Sequence, residues 1–154
     1  MDLVLNNHRG VLWAARLDPP FAFQSPFYGL DFALFLVVFN GSVEDQAREG
    51  LCDAVVESGC RFAVCVGHGG KTWSESLDAS FLDRDLDEGD DGSFLLTASH
   101  QGEAIDEAAF FFANGMRHED TVARNFLVLC LGGDEAAYMQ VLNMVVSLFS
   151  APVL

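Results

Sequence analysis

From residue 32 onward, mainly apolar runs alternate with stretches in which apolar residues recur every three or four positions. The runs cover residues 32–39, 60–66, 94–98 and 125–131. Their lengths are typical of strands. The first is apolar at every position, which indicates burial on both faces of a sheet, and each of the others contains a single polar residue. The pattern therefore predicts four buried strands.

The stretches between these runs predict helices. Ser42 stands three residues before Asp45 in a variant of the capping box, and Gly59 is placed to end the helix that follows. The remaining predicted helices span residues 73–82, 103–113 and 134–149. An acidic, glycine-punctuated stretch at 83–92 predicts a solvated loop.

The first 31 residues follow a different pattern. Two short apolar runs flank a polar turn at residues 6–10, which favours a hairpin or two edge strands. Pro19 and Pro20 then exclude a helix. The extended arm that follows carries four aromatic residues: Phe21, Phe23, Phe27 and Tyr28.

Strand and helix alternate four times, and strands that are joined through a helix pair in parallel with a right-handed crossover. We therefore predict an α/β fold: a three-layer sandwich with a mainly parallel, doubly wound sheet of four core strands, extended at one edge by the N-terminal hairpin. One domain spans residues 1–154. It divides into the hairpin and aromatic arm (1–31) and a Rossmann-like core (32–154).

The predicted final helix, 134–149, is apolar on nearly all sides, with Gln140, Asn143 and Ser147 as its main polar interruptions. A helix of this kind is buried on several sides. Two interpretations stay open: the helix packs beneath the N-terminal arm, or it forms an interface, either between subunits of a homo-oligomer or with a partner.

The charge of the chain is strongly unbalanced, with 23 acidic and 8 basic side chains and a formal net charge of −15. A surface of this kind repels phosphate, which excludes general nucleic-acid binding. Because 51% of the residues are apolar, a disordered acidic tail is excluded too. The only lysine is Lys71. Acidic residues with scarce lysine are typical of a salt-adapted protein or of a surface that meets a basic partner.

The cysteines and the apolar segments indicate the compartment. Four cysteines are too few for a disulfide scaffold in a chain of this length, and the absence of a Cys-x-x-Cys pair excludes a zinc ribbon. Asp2 stands where a signal peptide is basic, and no apolar stretch approaches the roughly 20 residues that span a bilayer. We therefore predict a reduced, cytoplasmic protein without a membrane segment.

Polar residues follow each of the four predicted strands. The carboxyl ends of parallel strands meet at one edge of the sheet, where ligands of such folds bind. This edge predicts a pocket formed by nine residues: Asn40, Ser42, His68, Lys71, Thr72, His100, Gln101, Asp134 and Glu135.

Two specific chemistries for this edge lack the required spacing. The Gly-Lys-Thr sequence at 70–72 resembles the end of a phosphate loop, but Cys65 stands where the first glycine belongs, so the loop is too short to wrap a phosphate. His68, His100 and Asp134 form a two-histidine, one-carboxylate set only if separate turns converge. We predict neither a cofactor nor a metal site.

A third chemistry is a cysteine–histidine pair. Residues 62–70 (FAVCVGHGG) resemble the strand followed by Gly-His-Gly of caspase-like peptidases, and residues 126–133 (FLVLCLGG) resemble their strand followed by Cys-x-Gly. The resemblance covers these two segments and the general fold. It implies a hydrolase, or its degenerate relative, in which His68 is the base and Cys130 the nucleophile.

Acidic side chains are concentrated between residues 78 and 91, offset only by Arg84. The seven residues are Asp78, Asp83, Asp85, Asp87, Glu88, Asp90 and Asp91. Their mutual repulsion is relieved by a cationic partner, which the same charges steer toward the surface. The first functional hypothesis is therefore an acidic module that binds a basic protein, such as an immunity or antitoxin-like inhibitor. The alternative is the cysteine–histidine hydrolase.

Overall fold

The computed structural model describes residues 1–88, 94–100 and 104–152, with the backbone alone at 85–88. The strands are β1 (Asp2–Asn7), β2 (Gly10–Leu17), β3 (Phe32–Val38), β4 (Cys60–Gly67), β5 (Leu96–His100), β6 (Arg117–His118), β7 (Thr121–Val122) and β8 (Asn125–Leu131). The helices are α1 (Asp45–Glu57), α2 (Gly70–Glu88), α3 (Ile105–Asn114) and α4 (Glu135–Ser150).

Six strands form one mostly parallel sheet in the order β1-β2-β8-β3-β4-β5. The pairs β2–β8, β8–β3, β3–β4 and β4–β5 are parallel, and β1 pairs with β2 as an antiparallel edge hairpin. The mixed α/β class and the hairpin at one edge are confirmed. The sequence pattern does not predict the small β6–β7 hairpin, whose strands have two residues each.

Side chains of β3 divide the core into two apolar clusters. All seven residues of this strand are buried, as the continuous apolar run predicts. Phe35 and Val37 belong to a cluster that includes residues of α3 and α4. Leu34 and Leu36 belong to a second cluster, which includes residues of α1 and α2. This alternation follows from the two-residue period of a strand, which directs successive side chains to opposite faces.

The first helix begins later than its predicted cap. Glu44, not Ser42, occupies the N-cap position and makes no side-chain capping bond, and α1 starts at Asp45. Ser42 lies exposed before the helix. Gly59 follows the helix with φ of +110°, so its predicted role as the terminating glycine is confirmed.

Helix α2 is longer than predicted at both ends. It starts at Gly70 and continues to Glu88, so the prediction of a loop from residue 83 is wrong for 83–88. Residues 89–92 lie outside the described part of the chain. Trp73 and Leu77 are buried, and Phe81 packs against the same cluster. This four-residue spacing gives the helix a buried apolar stripe, which the density of acidic residues after residue 82 does not indicate.

Helix α4 buries one stripe rather than all of its sides. Its buried residues are Tyr138, Val141, Val145 and Phe149. The helix lies in the cluster of α3, whereas Phe21 and Phe27 of the aromatic arm lie in the other cluster, so the interpretation in which it packs beneath the arm is wrong. Met139 is 42% exposed on its outer side, the surface that self-association would use.

Candidate functional site

The edge formed by the carboxyl ends of β3 and β8 is closed by the protein's own side chains. The backbone N–H groups of Phe39 and Asn40 both donate to the Leu131 carbonyl, at 2.9 and 3.2 Å. A Cβ atom on Gly132 would lie only 1.9 Å from Asn40 Oδ1. Asn40 therefore fills the position at which a ligand binds in many parallel sheets.

Two of the predicted pocket segments do lie together at this edge. His68 follows β4, is exposed, and donates its backbone N–H to the Val38 carbonyl at 2.9 Å. Its imidazole lies 3.8 Å from the position of a Cβ on Gly41, next to Ser42 in sequence. The loop after β3 and the loop after β4 therefore adjoin each other, as predicted.

The other predicted pocket residues on α2 face solvent. Lys71 and Thr72 lie exposed in the first turn of the helix. The Lys71 ammonium lies 3.8 Å from a carboxylate oxygen of Glu75, one turn further along, and both side chains are about two-thirds exposed. A pair of this kind contributes little to stability because solvent screens it.

The remaining members are dispersed along the sheet. His100 ends the outer strand β5, with its ring 5.9 Å from that of Phe111, while β3 and β4 separate β5 from β8. Asp134 caps α4 by accepting from the Ala137 N–H at 2.8 Å. Glu135 lies beside Tyr138 in another groove, and Gln101 lies outside the described residues. Within the described segments, no three metal-ligating side chains converge.

His68 and Cys130 are not brought together. Strand β3 lies between β8, which carries Cys130, and β4, which precedes His68, so two strand spacings of about 5 Å each separate them. Cys130 is fully buried, and burial raises the pKa of its thiol to about 12. A thiol in such surroundings is not a nucleophile at neutral pH.

We expect all four cysteines to be inert in the folded protein. Each is free and buried, and burial raises the pKa of Cys52, like that of Cys130, to about 12. Titration with a chromogenic disulfide at about pH 8 should detect no thiol within minutes, and four after denaturation. Rapid reaction of one native thiol, absent from Cys130→Ser, would restore the hydrolase hypothesis.

The acidic segment is partly helical and partly engaged. Asp78 is half-buried, and its two carboxylate oxygens lie 2.9 and 3.0 Å from the Thr97 hydroxyl, which donates to them. This contact joins α2 to β5. Asp83 is exposed on α2. Asp85, Asp87 and Glu88 belong to the last turn of α2, and Asp90 and Asp91 lie outside the described residues.

A second acidic element, which we did not predict, runs along α1. Asp45, Glu49, Asp53 and Glu57 recur every four residues, and all four are exposed. At 1.5 Å of rise per residue, successive carboxylates lie about 6 Å apart along the helix. We call these residues the α1 carboxylate row. The four-residue spacing is visible in the sequence, although the apolar face predicted for this helix gives no indication of it.

The α1 carboxylate row lies beside α2. Arg48 Nε donates to the Ser76 hydroxyl at 2.9 Å, and the Ser80 hydroxyl donates to Asp53. Asp83 follows one turn after Ser80, so the acidic surface continues from one helix to the other. Arg48 also pairs with Asp45 at 3.0 Å, which leaves Glu49 and Glu57 as the least engaged carboxylates of the row.

These carboxylates oppose the stability of the free protein. Like charges four residues apart on a helix cost about 0.2–0.5 kcal/mol per pair. Neither α1 nor α2 has a basic residue in its last turn, whereas Glu57 and Glu88 end them. A negative charge at a helix C-terminus is unfavourable because the helix dipole is negative there. Asp45 and Asp53 have partners within the fold, whereas the fold gains nothing evident from Glu49 and Glu57.

A groove lies at the end of β2, between the aromatic arm and the start of α4. Its volume is about 710 Å³. Residues from four segments line it, among them Asp2, Trp13, Tyr28, Glu135 and Tyr138. The sequence offers no signal for it beyond the aromatic character of the arm, because these residues become neighbours only through the fold.

A family model described as Domain of unknown function (DUF7684) matches residues 12–146, which is most of the chain. No curated protein and no solved structure matches it. The described helices include none that is both long and apolar enough to cross a membrane.

Proposed function

The chain belongs to the family of domains described as DUF7684, and from its geometry we propose that it is a module that binds a basic protein through the outer faces of α1 and α2. The observation that carries the proposal is the α1 carboxylate row. Four exposed acids at a regular spacing form a linear negative surface about 18 Å long.

The negative charge of this surface favours binding of a cationic partner over the free protein. The repulsion within the row and at the helix C-termini is present in the free protein and is relieved when cations approach. A net charge of −15 also attracts a basic partner before contact and raises the association rate. The same charges disfavour wrong partners, since an acidic protein is repelled.

Two basic side chains of these helices are each paired with a single carboxylate. Arg48 is engaged with Asp45, and Lys71 with Glu75. Asp85, Asp87, Glu88, Asp90 and Asp91 follow Asp83 in the sequence and add five negative charges to this part of the chain. In its sharpest form, the proposal is an immunity or antitoxin-like inhibitor of a basic toxin.

Two finer features belong to the same proposal. The division of β3 side chains between two clusters supports a three-layer, doubly wound, Rossmann-like arrangement. The four free cysteines support a reducing, cytoplasmic location.

A variant that neutralises two carboxylates of the row together with Asp83 of α2, which we call the row variant, tests the proposal. We expect Glu49→Gln, Glu57→Gln and Asp83→Asn together to weaken a basic partner's binding by about 10- to 100-fold, at about 0.5–1 kcal/mol per carboxylate. The triple variant Glu107→Gln, Glu119→Gln and Asp120→Asn changes the net charge equally but lies elsewhere, and should bind normally.

The measurement is affinity capture from the source cells with each form of the protein, followed by quantitative mass spectrometry. We expect a stoichiometric protein with a pI above about 9 in the wild-type and control captures, and its loss from the row variant. Equal capture by the row variant and the control would remove this function.

A further inference from the structure

A groove between α3 and α4 exposes apolar side chains of both helices. The two helices pack side by side, and the groove has a volume of about 750 Å³. Phe110 of α3 lines it and is 46% exposed, and Met144 and Leu148 of α4 line it and are half-buried. Single exposed apolar residues are common on proteins, whereas several in one groove indicate a binding surface.

The residues of the groove recur at the interval of a helix turn. Met144 and Leu148 are four residues apart on α4, and Asp106 and Phe110 are four residues apart on α3. Residues at this interval are neighbours on one side of a helix, so each helix contributes side chains from two successive turns. A helix that binds in such a groove anchors itself with apolar side chains at the same interval.

The charged side chains that line the groove are both negative. Asp106 and Glu107 lie exposed in the first turn of α3, and within the described part of the chain neither forms an ion pair. Neither α3 nor α4 contains a lysine, an arginine or a histidine. Asn143 and Ser147, which line the groove from α4, are uncharged. The groove therefore complements an occupant that is both apolar and cationic.

This charge selects among the occupants of an apolar groove. A second copy of the chain would bring a net charge of −15 and no cation from its own α3 or α4. We propose that the groove binds a cationic amphipathic helix of a partner protein. The apolar side chains of that helix pack on Phe110, Met144 and Leu148. Its basic side chains pair with Asp106 and Glu107.

This inference does not rest on the proposed function. Residues of α3 and α4 belong to one core cluster and residues of α1 and α2 to the other, so the groove and the α1 carboxylate row lie on opposite faces of the sheet. The groove is a second docking surface, and it selects its partner by apolar contact as well as by charge.

The test uses a blocked peptide of about 15 leucine and lysine residues, whose leucines recur every three or four positions. A scrambled peptide of the same composition keeps the charge without an apolar face. Each is titrated into protein labelled with ¹³C at its four methionine methyl groups. We expect the amphipathic peptide to shift the Met144 signal saturably, and the scrambled peptide to bind there about tenfold more weakly. Met116 is buried in the core, and its signal should not move.

Two neighbouring phenylalanines of α3 form a matched pair. Phe110→Ala should raise the dissociation constant read at Met144 by about tenfold, because it removes an aromatic ring from the groove. Phe111 is 39% exposed but does not line the groove, so Phe111→Ala should change this constant by less than about twofold. Asp106→Asn combined with Glu107→Gln should weaken binding by about threefold and reduce its dependence on salt.

The row variant shows whether the peptide binds at the groove or at the α1 carboxylate row. It should leave the Met144 titration within about twofold of wild type, and a larger loss would place the peptide on the row and overturn the assignment. An unmoved Met144 signal, an equal response to the scrambled peptide, or equal binding by Phe110→Ala and Phe111→Ala overturns it too. So does a Met144 signal that shifts with protein concentration alone, because a second copy then fills the groove.

Discussion

Replacement of Arg9 by methionine should lower the free energy of unfolding by about 3 kcal/mol, read from urea denaturation, because it leaves one buried and two partly buried carbonyls without their donor. Arg9 is only 6% exposed. Its guanidinium donates to Ala113 near the end of α3 at 3.0 Å, and to Ala151 and Pro152 after α4 at 3.1 and 2.9 Å. One side chain of the β1–β2 hairpin thus pairs with the C-terminal carbonyls of two helices, where the helix dipole favours a cation.

Two further variants locate this effect in the guanidinium. Arg9→Lys keeps the charge but reaches fewer carbonyls, so we expect an intermediate loss. Arg117→Met removes an exposed arginine and should change the free energy of unfolding by less than about 0.5 kcal/mol. A loss below about 1 kcal/mol for Arg9→Met would mean that water can replace the side chain at these carbonyls.

Much of the fold follows from short-range patterns. β8 occupies Asn125–Leu131 as predicted, and β3 ends one residue before its predicted limit, at Val38. A run that is apolar at every position can be buried only between two layers, so its length and its strand character are set locally. The order of the strands is not set locally, because the insertion of β8 between β2 and β3 depends on pairings between distant segments.

Arg9 shows why other features could not be predicted. It lies in a polar turn between two apolar runs, which is typical of a solvent-exposed loop. The carbonyls that bury it are 104 to 143 residues away in sequence. The groove at the end of β2 has the same origin, since Trp13, Tyr28 and Glu135 come from separate elements. Local periodicity carries no information about such encounters.

The acidic surface is predictable from the sequence only in part, unlike the strands, which follow from local pattern, and the contacts of Arg9, which do not. The four-residue spacing of Asp45, Glu49, Asp53 and Glu57 is as regular as an apolar stripe, and the sequence alone could have revealed it. The predicted loop at 83–88 is wrong because charge density does not distinguish a loop from a solvated helix. Carboxylates are compatible with helix, and a breaker, Gly89, comes only after Glu88.

Replacement of Gly67 by alanine should also lower the free energy of unfolding by about 3 kcal/mol. Gly67 ends β4 with φ of +98°, and a Cβ there would lie 2.3 Å from the Val38 carbonyl oxygen of the central strand β3. The clash is with backbone, so no side-chain rotation relieves it. The same oxygen accepts the His68 N–H, and this hydrogen bond would be disturbed as well.

The matched substitution Gly50→Ala should have the opposite sign. Gly50 lies in the interior of α1 and is exposed, and a Cβ there meets no atom within 4 Å. Alanine lowers the backbone entropy of the unfolded chain and should stabilise the helix by about 0.5–1 kcal/mol. Both variants add one methyl group, so the difference between their free energies of unfolding in urea reports the steric clash at Gly67 and not the methyl group itself. If Gly67→Ala unfolds at the wild-type midpoint, then β3 and β4 do not approach as closely at this edge as the geometry requires, and the loops carrying Asn40 and His68 are freer to open to a ligand.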